Sequence, residues 1–252
     1  MGGVERHRQI AEAVWKVGRL SVAELAELTG TSEMTVRRDL EVLSEQGVLE
    51  RYRGGARSVV LRGEEPPFKL REHEDGDAKH RIAEAVAAMI DDGEAVVLDS
   101  GTTCLEVARV LVHRRLTVMP LSLHATNALV GGPQLRLLVP GGEPRPGELA
   151  MTGPLTEASL AALRFDTAVI GCCGLSARHG LTAYDLADAA VKRAAMAAAH
   201  RVIAVADAGK FARTALAFVA PAAELDVVVT DSGAPVGQTD ALRAEGVTVR
   251  AV

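Results

Sequence analysis

The first 47 residues of the chain place apolar side chains at the spacing of three short amphipathic helices. The first covers residues 6–17, the second opens on a capping box at Ser21, and the third opens at Thr31 or Ser32 and ends at Gly47. The predicted inward faces are Ile10, Val14 and Val17 in the first helix, Leu25 and Leu28 in the second, and Val36, Leu40 and Leu43 in the third. Three short helices with a tight turn between the last two predict a helix-turn-helix.

A β-hairpin is predicted directly after the third helix. Residues 48–53 have the pattern of a strand, Gly54-Gly55 supplies a turn, and residues 56–61 form the return strand. A hairpin in this position has the layout of the wing of a winged helix. We therefore predict a winged helix-turn-helix domain over residues 1–61.

The pattern changes twice more along the chain. Residues 62–77 are rich in charge and contain the Pro66-Pro67 pair, which predicts a linker. From residue 78 onward, short apolar runs alternate with helical segments, which predicts a doubly wound, mostly parallel α/β domain over residues 78–252. The predicted strands lie near residues 95–99, 116–121, 135–139, 167–171, 202–206, 227–230 and 247–251, and the predicted helices near residues 78–91, 103–113, 122–130, 155–163, 186–199 and 238–244.

Composition argues against several classes of protein. Hydrophobic residues make up 48% of the chain and charged residues 24%, a balance typical of a folded globular protein rather than of a disordered one. The apolar runs are too short for a membrane span, so we expect a cytoplasmic protein with no membrane partner. The 3 cysteines and 7 histidines have no metal-ligand spacing, so we expect no disulfide framework, metal or cofactor.

The formal net charge of -5 hides a local concentration of arginine. Residues 1–57 contain as many basic as acidic residues, so the acidic excess lies in the rest of the chain. In a helix-turn-helix the first turns of the second helix enter the major groove, where arginine can hydrogen-bond a guanine edge. The candidate DNA-binding residues are Ser32, Thr35, Arg37 and Arg38 on the third helix and Arg51, Tyr52 and Arg53 on the hairpin. We expect double-stranded DNA as a partner, while Tyr52 is equally suited to phosphate contact and to packing.

These residues together resemble the DeoR family of bacterial transcriptional regulators. Arg6, Ile10 and Val14 are followed, after seventeen residues, by Ser32-x-x-Thr35-Val36-Arg37-Arg38-Asp39-Leu40, and the likeness continues through Gly47-Val48-Leu49, Arg53-Gly54-Gly55-Ala56 and most of the remaining chain. The resemblance implies a repressor of sugar or nucleoside catabolism genes that a phosphorylated intermediate releases from its operator. It also implies a sensor domain similar in fold to ribose-5-phosphate isomerase and the CoA-transferases.

A second candidate site follows the first strand of the predicted α/β domain. The segment from Asp99 through Ser100, Gly101, Thr102 and Thr103 joins an apolar strand to a helix, so hydroxyl and main-chain N–H groups meet at a helix N-terminus. In open α/β sheets, ligands bind at the carboxyl ends of the strands. Later segments at the same edge add Gly141, Gly142 and Arg145, then Gly171 and Gly174, then Asp185 and Lys192, then Asp207 and Lys210.

The resemblance assigns roles within this candidate effector site. It places the phosphate of the effector against Ser100, Gly101, Thr102, Thr103, Lys192 and Lys210, and the sugar hydroxyls against Asp99, Asp185 and Asp207. The chain departs from the family at Met119-Pro120-Leu121-Ser122, where the usual Thr-Asn-Ser is absent and an amide contact to the ligand is lost.

Two rival functions stay open at this point. An aldose-ketose isomerase would need a carboxylate base near the substrate carbon, for which Asp185, Asp188 and Asp207 are candidates. A redox switch would use Cys172 and Cys173, although adjacent cysteines rarely form a disulfide. We expect a regulator rather than an enzyme, because a DNA-binding head on a metabolic enzyme would be unexplained.

The size of the recognition helix predicts an oligomer. One short helix offers too few base contacts for specificity in a genome, so we expect a homodimer or homotetramer that reads two half-sites. The effector would favour one arrangement of the DNA-binding heads over another, with the predicted linker as the hinge.

Overall fold

The computed structural model describes residues 3–58, 65–211 and 213–252, and the chain divides into the units Met1–Glu74 and Asp75–Val252. Each unit has its own hydrophobic core. The last predicted residues of the wing, 59–61, and the first of the predicted linker, 62–64, lie outside the described residues.

The N-terminal unit is a winged helix-turn-helix. Its helices are α1 (Gly3–Val17), α2 (Val22–Thr29), α3 (Glu33–Glu45) and α4 (Phe68–His73), and its strands are β1 (Arg19–Ser21), β2 (Leu49–Tyr52) and β3 (Gly55–Ser58). Within residues 3–58, the strands pair antiparallel in the order β1-β3-β2, so β1 extends the predicted hairpin. β3 begins at Gly55, where a Cβ atom would lie 2.2 Å from the carbonyl oxygen of Leu20. Gly55 therefore permits pairing with β1, and the turn itself is Arg53-Gly54.

Short-range hydrogen bonds set the ends of α2 and α3. The Ser21 hydroxyl accepts the N–H of Glu24 while the Glu24 carboxylate accepts the N–H of Ser21, which confirms the predicted capping box. Gly30 ends α2 in a left-handed conformation with φ of 64°. Ser32 then caps α3 by accepting the N–H of Thr35 at 3.3 Å. These bonds produce the tight turn between the two helices.

One face of each helix builds the core of the N-terminal unit. The buried side chains are Ile10, Val14, Val22, Leu25, Val36, Leu40 and Leu43 from the helices, with Leu49 and Ala56 from the wing. Val17 and Leu28 were predicted to face inward, but both are exposed. They lie at the last residue of α1 and on the last turn of α2, where each helix ends.

An ion pair ties α1 to α3. Arg6 donates to both carboxylate oxygens of Asp39, at 2.6 and 3.0 Å, and the Nε2 atom of His7 lies 2.8 Å from Asp39 Oδ1. Burial opposes the ionisation of Asp39, but the hydrogen bonds from Arg6 and His7 outweigh it and hold the pKa of this carboxyl below its ordinary value. The pair therefore helps to set the position of α3 against α1.

Part of the predicted linker is ordered as α4. Phe68 is buried, and the buried Arg71 donates to the carbonyl oxygen of Pro66 at 2.8 Å and pairs with Glu65 at 3.0 Å. α4 packs against α1. The sequence does not predict this helix, because the segment has no apolar periodicity. Its anchor is instead a buried arginine with carbonyl and carboxylate partners.

The C-terminal unit alternates helices and strands. Its helices are α5 (Gly76–Ala87), α6 (Thr102–Leu111), α7 (Leu123–Leu129), α8 (Pro154–Ala161), α9 (Leu186–Ala197) and α10 (Val236–Ala244). Its strands are β4 (Ala95–Leu98), β5 (Thr117–Pro120), β6 (Arg136–Leu137), β7 (Glu143–Pro144), β8 (Met151–Thr152), β9 (Phe165–Gly171), β10 (Gly174–Ser176), β11 (Gly180–Ala183), β12 (Ala199–Val205), β13 (Ala217–Ala220), β14 (Val227–Thr230) and β15 (Thr248–Ala251). All the helices and strands predicted for this unit are present.

A parallel sheet organises the C-terminal unit. Among residues 75–211 and 213–252, its seven strands follow the order β15-β14-β12-β9-β4-β5-β6. The carboxyl ends of β12, β9 and β4 therefore lie side by side. The antiparallel groups β10-β11-β13 and β7-β8 are additional to the prediction.

Alternate residues along the sheet strands point to opposite faces, and each face packs into its own hydrophobic core. Val96 and Leu98 pack with α5, α6 and α7, whereas Val97 between them packs with the core that includes α8, α9 and α10. A strand buried on both faces reads as a continuous apolar run, which is why the sequence predicts a doubly wound sheet. No helix of the described residues has the length and apolar character needed to cross a bilayer.

Candidate DNA-binding face and effector site

The outward face of α3 carries the arginines predicted to bind DNA. Arg37 and Arg38 are both exposed, while Val36 and Leu40 point into the core. Arg37 Nη2 lies 3.0 Å from Glu33 Oε2, and an exposed pair of this kind breaks at little cost when another anion arrives. Arg38 has no hydrogen-bond or ion-pair partner within the described part of the chain, so its guanidinium is available to a ligand.

Ser32 and Thr35 hold the start of the recognition helix. Besides the capping bond, their hydroxyl oxygens lie 3.0 Å apart. Ser32 is exposed and Thr35 is half-buried, so both reach the surface. Their positions at the N-terminus of α3 add the partial positive charge of the helix end to the two arginines.

The wing places two arginines at the surface and turns its tyrosine inward. Arg53 is exposed in the turn and has no partner among residues 3–58, whereas Arg51 forms an exposed ion pair of 3.3 Å with a glutamate of α3. The hydroxyl of Tyr52 donates to the carbonyl oxygen of Leu20 at 3.3 Å, and Arg19 lies 4.0 Å above its ring. The contacts of Tyr52 are thus those of a packing residue.

Charged side chains meet at the carboxyl edge of the parallel sheet. Asp99 directly follows β4, and Asp188 and Lys192 lie one turn apart on α9. Lys192 Nζ donates to Asp99 Oδ2 and lies 3.4 Å from Asp188 Oδ2. All three side chains are buried. Two carboxylates therefore share one ammonium group, whose positive charge is already balanced within the cluster.

Burial and mutual contact control the ionisation of this cluster. Burial raises the pKa of Asp99 above its ordinary value, and Lys192 opposes that effect only in part. Burial alone would lower the pKa of Lys192, but Asp188 and Asp99 outweigh it and hold the pKa well above its usual range. Lys192 is therefore charged at neutral pH.

The end of β9 fixes the Asp99 carboxylate. The N–H of Gly171 donates to Asp99 Oδ2 at 2.9 Å. A Cβ atom at Gly171 would lie 3.0 Å from the carbonyl oxygen of Ser100 and 3.4 Å from Cys104 Sγ, so glycine allows β9 to approach the loop after β4. The Ser100 hydroxyl donates to Asp188 Oδ1 at 3.4 Å, which links this loop to α9.

The N-terminus of α6 lies on the same loop and is open. Gly101 occupies the cap position with φ of 97°, makes no side-chain cap, and has nothing within 4 Å of where a Cβ would stand. Thr102 and Thr103 are buried, and their hydroxyls have no hydrogen-bond partner within the residues that the structure describes. Uncapped N–H groups beside unpaired hydroxyls form a favourable environment for an anion.

Other predicted effector residues have local partners. Lys210 Nζ lies 3.8 Å from Asp207 Oδ2 in the turn after β12. Asp185 caps α9 by accepting the N–H of Asp188 at 2.9 Å. Gly174 lies in β10, where a Cβ would lie 2.3 Å from a main-chain carbonyl of the neighbouring segment. Lys210, Asp185 and Gly174 are therefore each held by a neighbouring segment of the chain. Asp185 lies at the N-terminus of α9, the helix that carries Lys192.

The loop between β6 and β8 contains the remaining candidates. The Thr156 hydroxyl donates to the carbonyl oxygen of Gly141 at 2.8 Å, and a Cβ at Gly142 would stand 2.0 Å from Thr156 Oγ1. The N–H of Arg145 donates to the carbonyl oxygen of Ala150 at 2.7 Å. The Thr156 contacts pack Gly141 and Gly142 against α8, and the bond from Arg145 to Ala150 closes the turn between β7 and β8.

Comparison with known proteins identifies both units. A model described as a DeoR-like helix-turn-helix domain matches residues 6–60, and one described as the DeoR C terminal sensor domain matches residues 74–232. The chain belongs to the DeoR family. A DeoR-family protein with this helix-turn-helix is a DNA-binding transcriptional regulator.

Relatives of this DeoR-family chain match it along most of its length. The glycerol-3-phosphate regulon repressor of Escherichia coli strain K12 is 32% identical, over 94% of this chain and 94% of the relative. The transcriptional repressor AccR of Agrobacterium fabrum strain C58 is 35% identical, over 91% of this chain and 90% of the relative. Among solved structures, a ribose 5-phosphate isomerase A from Methanocaldococcus jannaschii has a TM-score of 0.42 and 15% identity, over 55% of each chain.

The structure adds Asp188 to the residues predicted for the DeoR-family sensor domain. The sequence suggests it only as a catalytic base, although its spacing of four residues from Lys192 already indicates a contact on one helix face. The resemblance assigns Lys192 to phosphate and Asp99 to hydroxyls, whereas the structure joins them directly. This contact follows from the parallel sheet, which brings the end of β4 to α9.

The segment that departs from the DeoR-family pattern lies at the same sheet edge. Pro120 and Leu121 are buried at the end of β5, and the N–H of Leu121 donates to the carbonyl oxygen of Leu98. Ser122 caps α7 by accepting the N–H groups of His124 and Ala125. The segment therefore has buried aliphatic side chains where the resemblance implies an amide.

Burial disfavours the thiolate form of Cys172 and Cys104, which lie beside the effector site. Burial raises the pKa of Cys172 to about 12 and the pKa of Cys104 well above its ordinary value. Because the thiolate is the reactive form, this environment gives no support to a redox switch.

Within the described residues, no group of three or more histidine, cysteine, aspartate or glutamate side chains is arranged to hold a metal ion.

Proposed function

We propose that this chain represses transcription by binding operator DNA through the outward face of α3 and the wing. The exposed Arg38 and Arg53 carry the proposal, because neither has a partner in the described part of the chain and both lie on elements that meet DNA in a winged helix. The names of the relatives support repression. Each phosphate that an arginine neutralises steepens the dependence of affinity on salt by about 0.9 in a log-log plot.

We further propose that the protein works in the cytoplasm as a homodimer or homotetramer. Two recognition helices supply the base contacts that a single one lacks. Light scattering coupled to gel filtration measures the assembly directly. A purely monomeric protein that still bound one operator site with full affinity would contradict the proposal.

We propose that a phosphorylated metabolite of sugar or related carbon catabolism is the effector. The open N-terminus of α6 with Thr102 and Thr103 suits its phosphate. The cluster of Asp99, Asp188 and Lys192 suits its hydroxyls, because carboxylates accept and ammonium donates hydrogen bonds. Since the ammonium is already shared by two carboxylates, we place the phosphate at α6 rather than at Lys192. One relative is named for the glycerol-3-phosphate regulon, which agrees with this class of ligand.

We propose that the site binds its ligand without turnover. Each candidate base has a structural partner: Asp188 lies 3.4 Å from Lys192, Asp185 accepts the N–H of Asp188, and Asp207 lies 3.8 Å from Lys210. These contacts favour a binding role over that of a general base. Incubation of the protein with pentose and hexose phosphates, followed by product analysis, tests this statement. Steady conversion of any of them would establish catalysis.

The decisive experiment combines DNA binding with a ligand panel. Affinity for DNA upstream of the protein's own gene is measured with and without glycerol 3-phosphate, pentose phosphates and hexose phosphates. We expect one of them to raise the melting temperature and to weaken operator binding by about 5- to 150-fold. The unphosphorylated sugars and inorganic phosphate are the controls. Equal DNA binding by wild type and Arg38→Ala would refute the proposed DNA contact, and an effect from unphosphorylated sugar alone would refute the proposed phosphate contact.

A further inference from the structure

Met34 interrupts the charged outward face of α3. At 3.6 residues per turn, it lies next to Arg37 and Arg38, which follow three and four residues later, and opposite the buried Val36. Its side chain is 63% exposed. An apolar side chain that stays in water gains little from folding, so packing within the unit does not account for methionine at this position.

The charge along α3 restricts which part of this face meets DNA. Glu41 and Glu45 continue the same face toward the C-terminus and are exposed. Because phosphates repel carboxylates, and Arg51 offsets the charge of Glu41 but not that of Glu45, the first two turns of the helix are the part best suited to lie close to the duplex. Met34 is therefore in the first turn of the surface that we expect to enter the groove, one turn before the two arginines.

We propose that Met34 is a specificity-determining residue that contacts the 5-methyl group of a thymine in each operator half-site. The inference rests on the proposed DNA-binding function. In the major groove, the thymine methyl is the apolar feature that distinguishes a base pair, and apolar side chains recognise it by excluding water. Arg37 and Arg38 beside it bind guanine edges or phosphates, so Met34 adds preference for thymine over cytosine at one position.

The test removes the methyl group from the DNA. The full chain first selects its site from a random duplex library, and each thymine of that site is then replaced by uracil, one at a time. Affinity is measured by fluorescence anisotropy. For the wild type, we expect uracil at one position per half-site to weaken binding by about threefold to fivefold, the effect of exposing one methyl group.

Variants of Met34 show whether this residue reads the methyl. Met34→Ala should bind the thymine and uracil duplexes equally at that position, while Met34→Leu should keep the preference. Val42→Ala is the matched control, because Val42 is on the same helix and 38% exposed but lies two turns after Met34, beyond the two turns that we expect to meet DNA. It should keep the wild-type preference. Circular dichroism confirms that each variant is folded.

The possible outcomes separate the inference from the function on which it rests. A wild-type chain that selects no sequence overturns both. Selection of a site followed by unchanged uracil effects in Met34→Ala overturns the role of Met34 alone. If Met34→Ala binds neither duplex, Met34→Leu decides: a retained thymine preference supports the inference, and its absence overturns it.

Discussion

Replacement of Lys192 by methionine tests whether charge holds the cluster at the carboxyl edge of the sheet. Methionine keeps an unbranched apolar stem but removes the ammonium that Asp99 and Asp188 share. These carboxylates, with side-chain exposures of 1% and 8%, then lie buried without it. Removal of one partner from a buried ion pair costs about 3–5 kcal/mol. We expect the C-terminal unit to lose that amount of unfolding free energy at neutral pH.

The loss should appear as a lower melting temperature that depends on pH. At about 2–4 °C per kcal/mol for a unit of this size, the expected fall is about 6–20 °C. Burial raises the folded-state pKa of Asp99 in the wild type, and Lys192→Met removes the ammonium that opposes this rise. The folded variant therefore binds a proton more tightly than the unfolded chain and gains stability as the pH falls toward the ordinary carboxyl range. In the wild type, the raised pKa of Lys192 means that its contribution is complete below the ordinary lysine pKa and is lost only as the pH rises through the folded-state value.

Thermal unfolding of the full chain by circular dichroism, from neutral pH to about pH 5, measures this effect. The matched control combines Lys192→Met with Asp99→Asn and Asp188→Asn, which leaves no uncompensated charge and should recover most of the lost stability. Operator affinity, measured at a temperature below the onset of unfolding of the variant, should equal that of the wild type. An unchanged melting temperature for Lys192→Met at neutral pH, or a triple variant no more stable than the single one, would refute the reasoning.

Three further substitutions test other contacts. Arg38→Ala should reduce the log-log salt slope of operator binding by about 0.9 without lowering the melting temperature, and an unchanged slope would exclude a phosphate contact. Asp39→Asn should destabilise the N-terminal unit in urea by about 1.5–3 kcal/mol at neutral pH. Because the folded pKa of Asp39 is lowered, the wild-type advantage is present above the ordinary carboxyl pKa and should vanish as the pH falls through the folded value. Gly171→Ala, with its Cβ 3.0 Å from the Ser100 carbonyl oxygen, should cost about 1–3 kcal/mol and weaken effector binding in a thermal-shift titration; full retention of both would show that the loop relaxes freely.

Interactions between near neighbours in the chain made most of the architecture predictable. The capping box at Ser21, the left-handed Gly30 and the cap at Ser32 act within four residues, so the helix-turn-helix can be predicted from them directly. The parallel strands are buried on both faces and appear as apolar runs, which identifies the doubly wound sheet. The exposure of Arg37 and Arg38, the candidate DNA-binding arginines of α3, is predictable because it follows from the helical period.

Contacts between distant residues required the tertiary structure. β1 and α4 have too few apolar residues for a periodic signal, and they are ordered by pairing with β3 and by the buried Arg71. Asp99 and Lys192 are 93 residues apart in sequence, and their contact exists because adjacent parallel strands bring the end of β4 beside α9. Local pattern thus determined most of the helices and parallel strands and most of the side chains that face outward, while β1, α4 and the two antiparallel groups depended on tertiary contacts. The packing of the sheet decided that Asp99 meets Lys192, because the free energy of that contact depends on a distance that no short segment encodes.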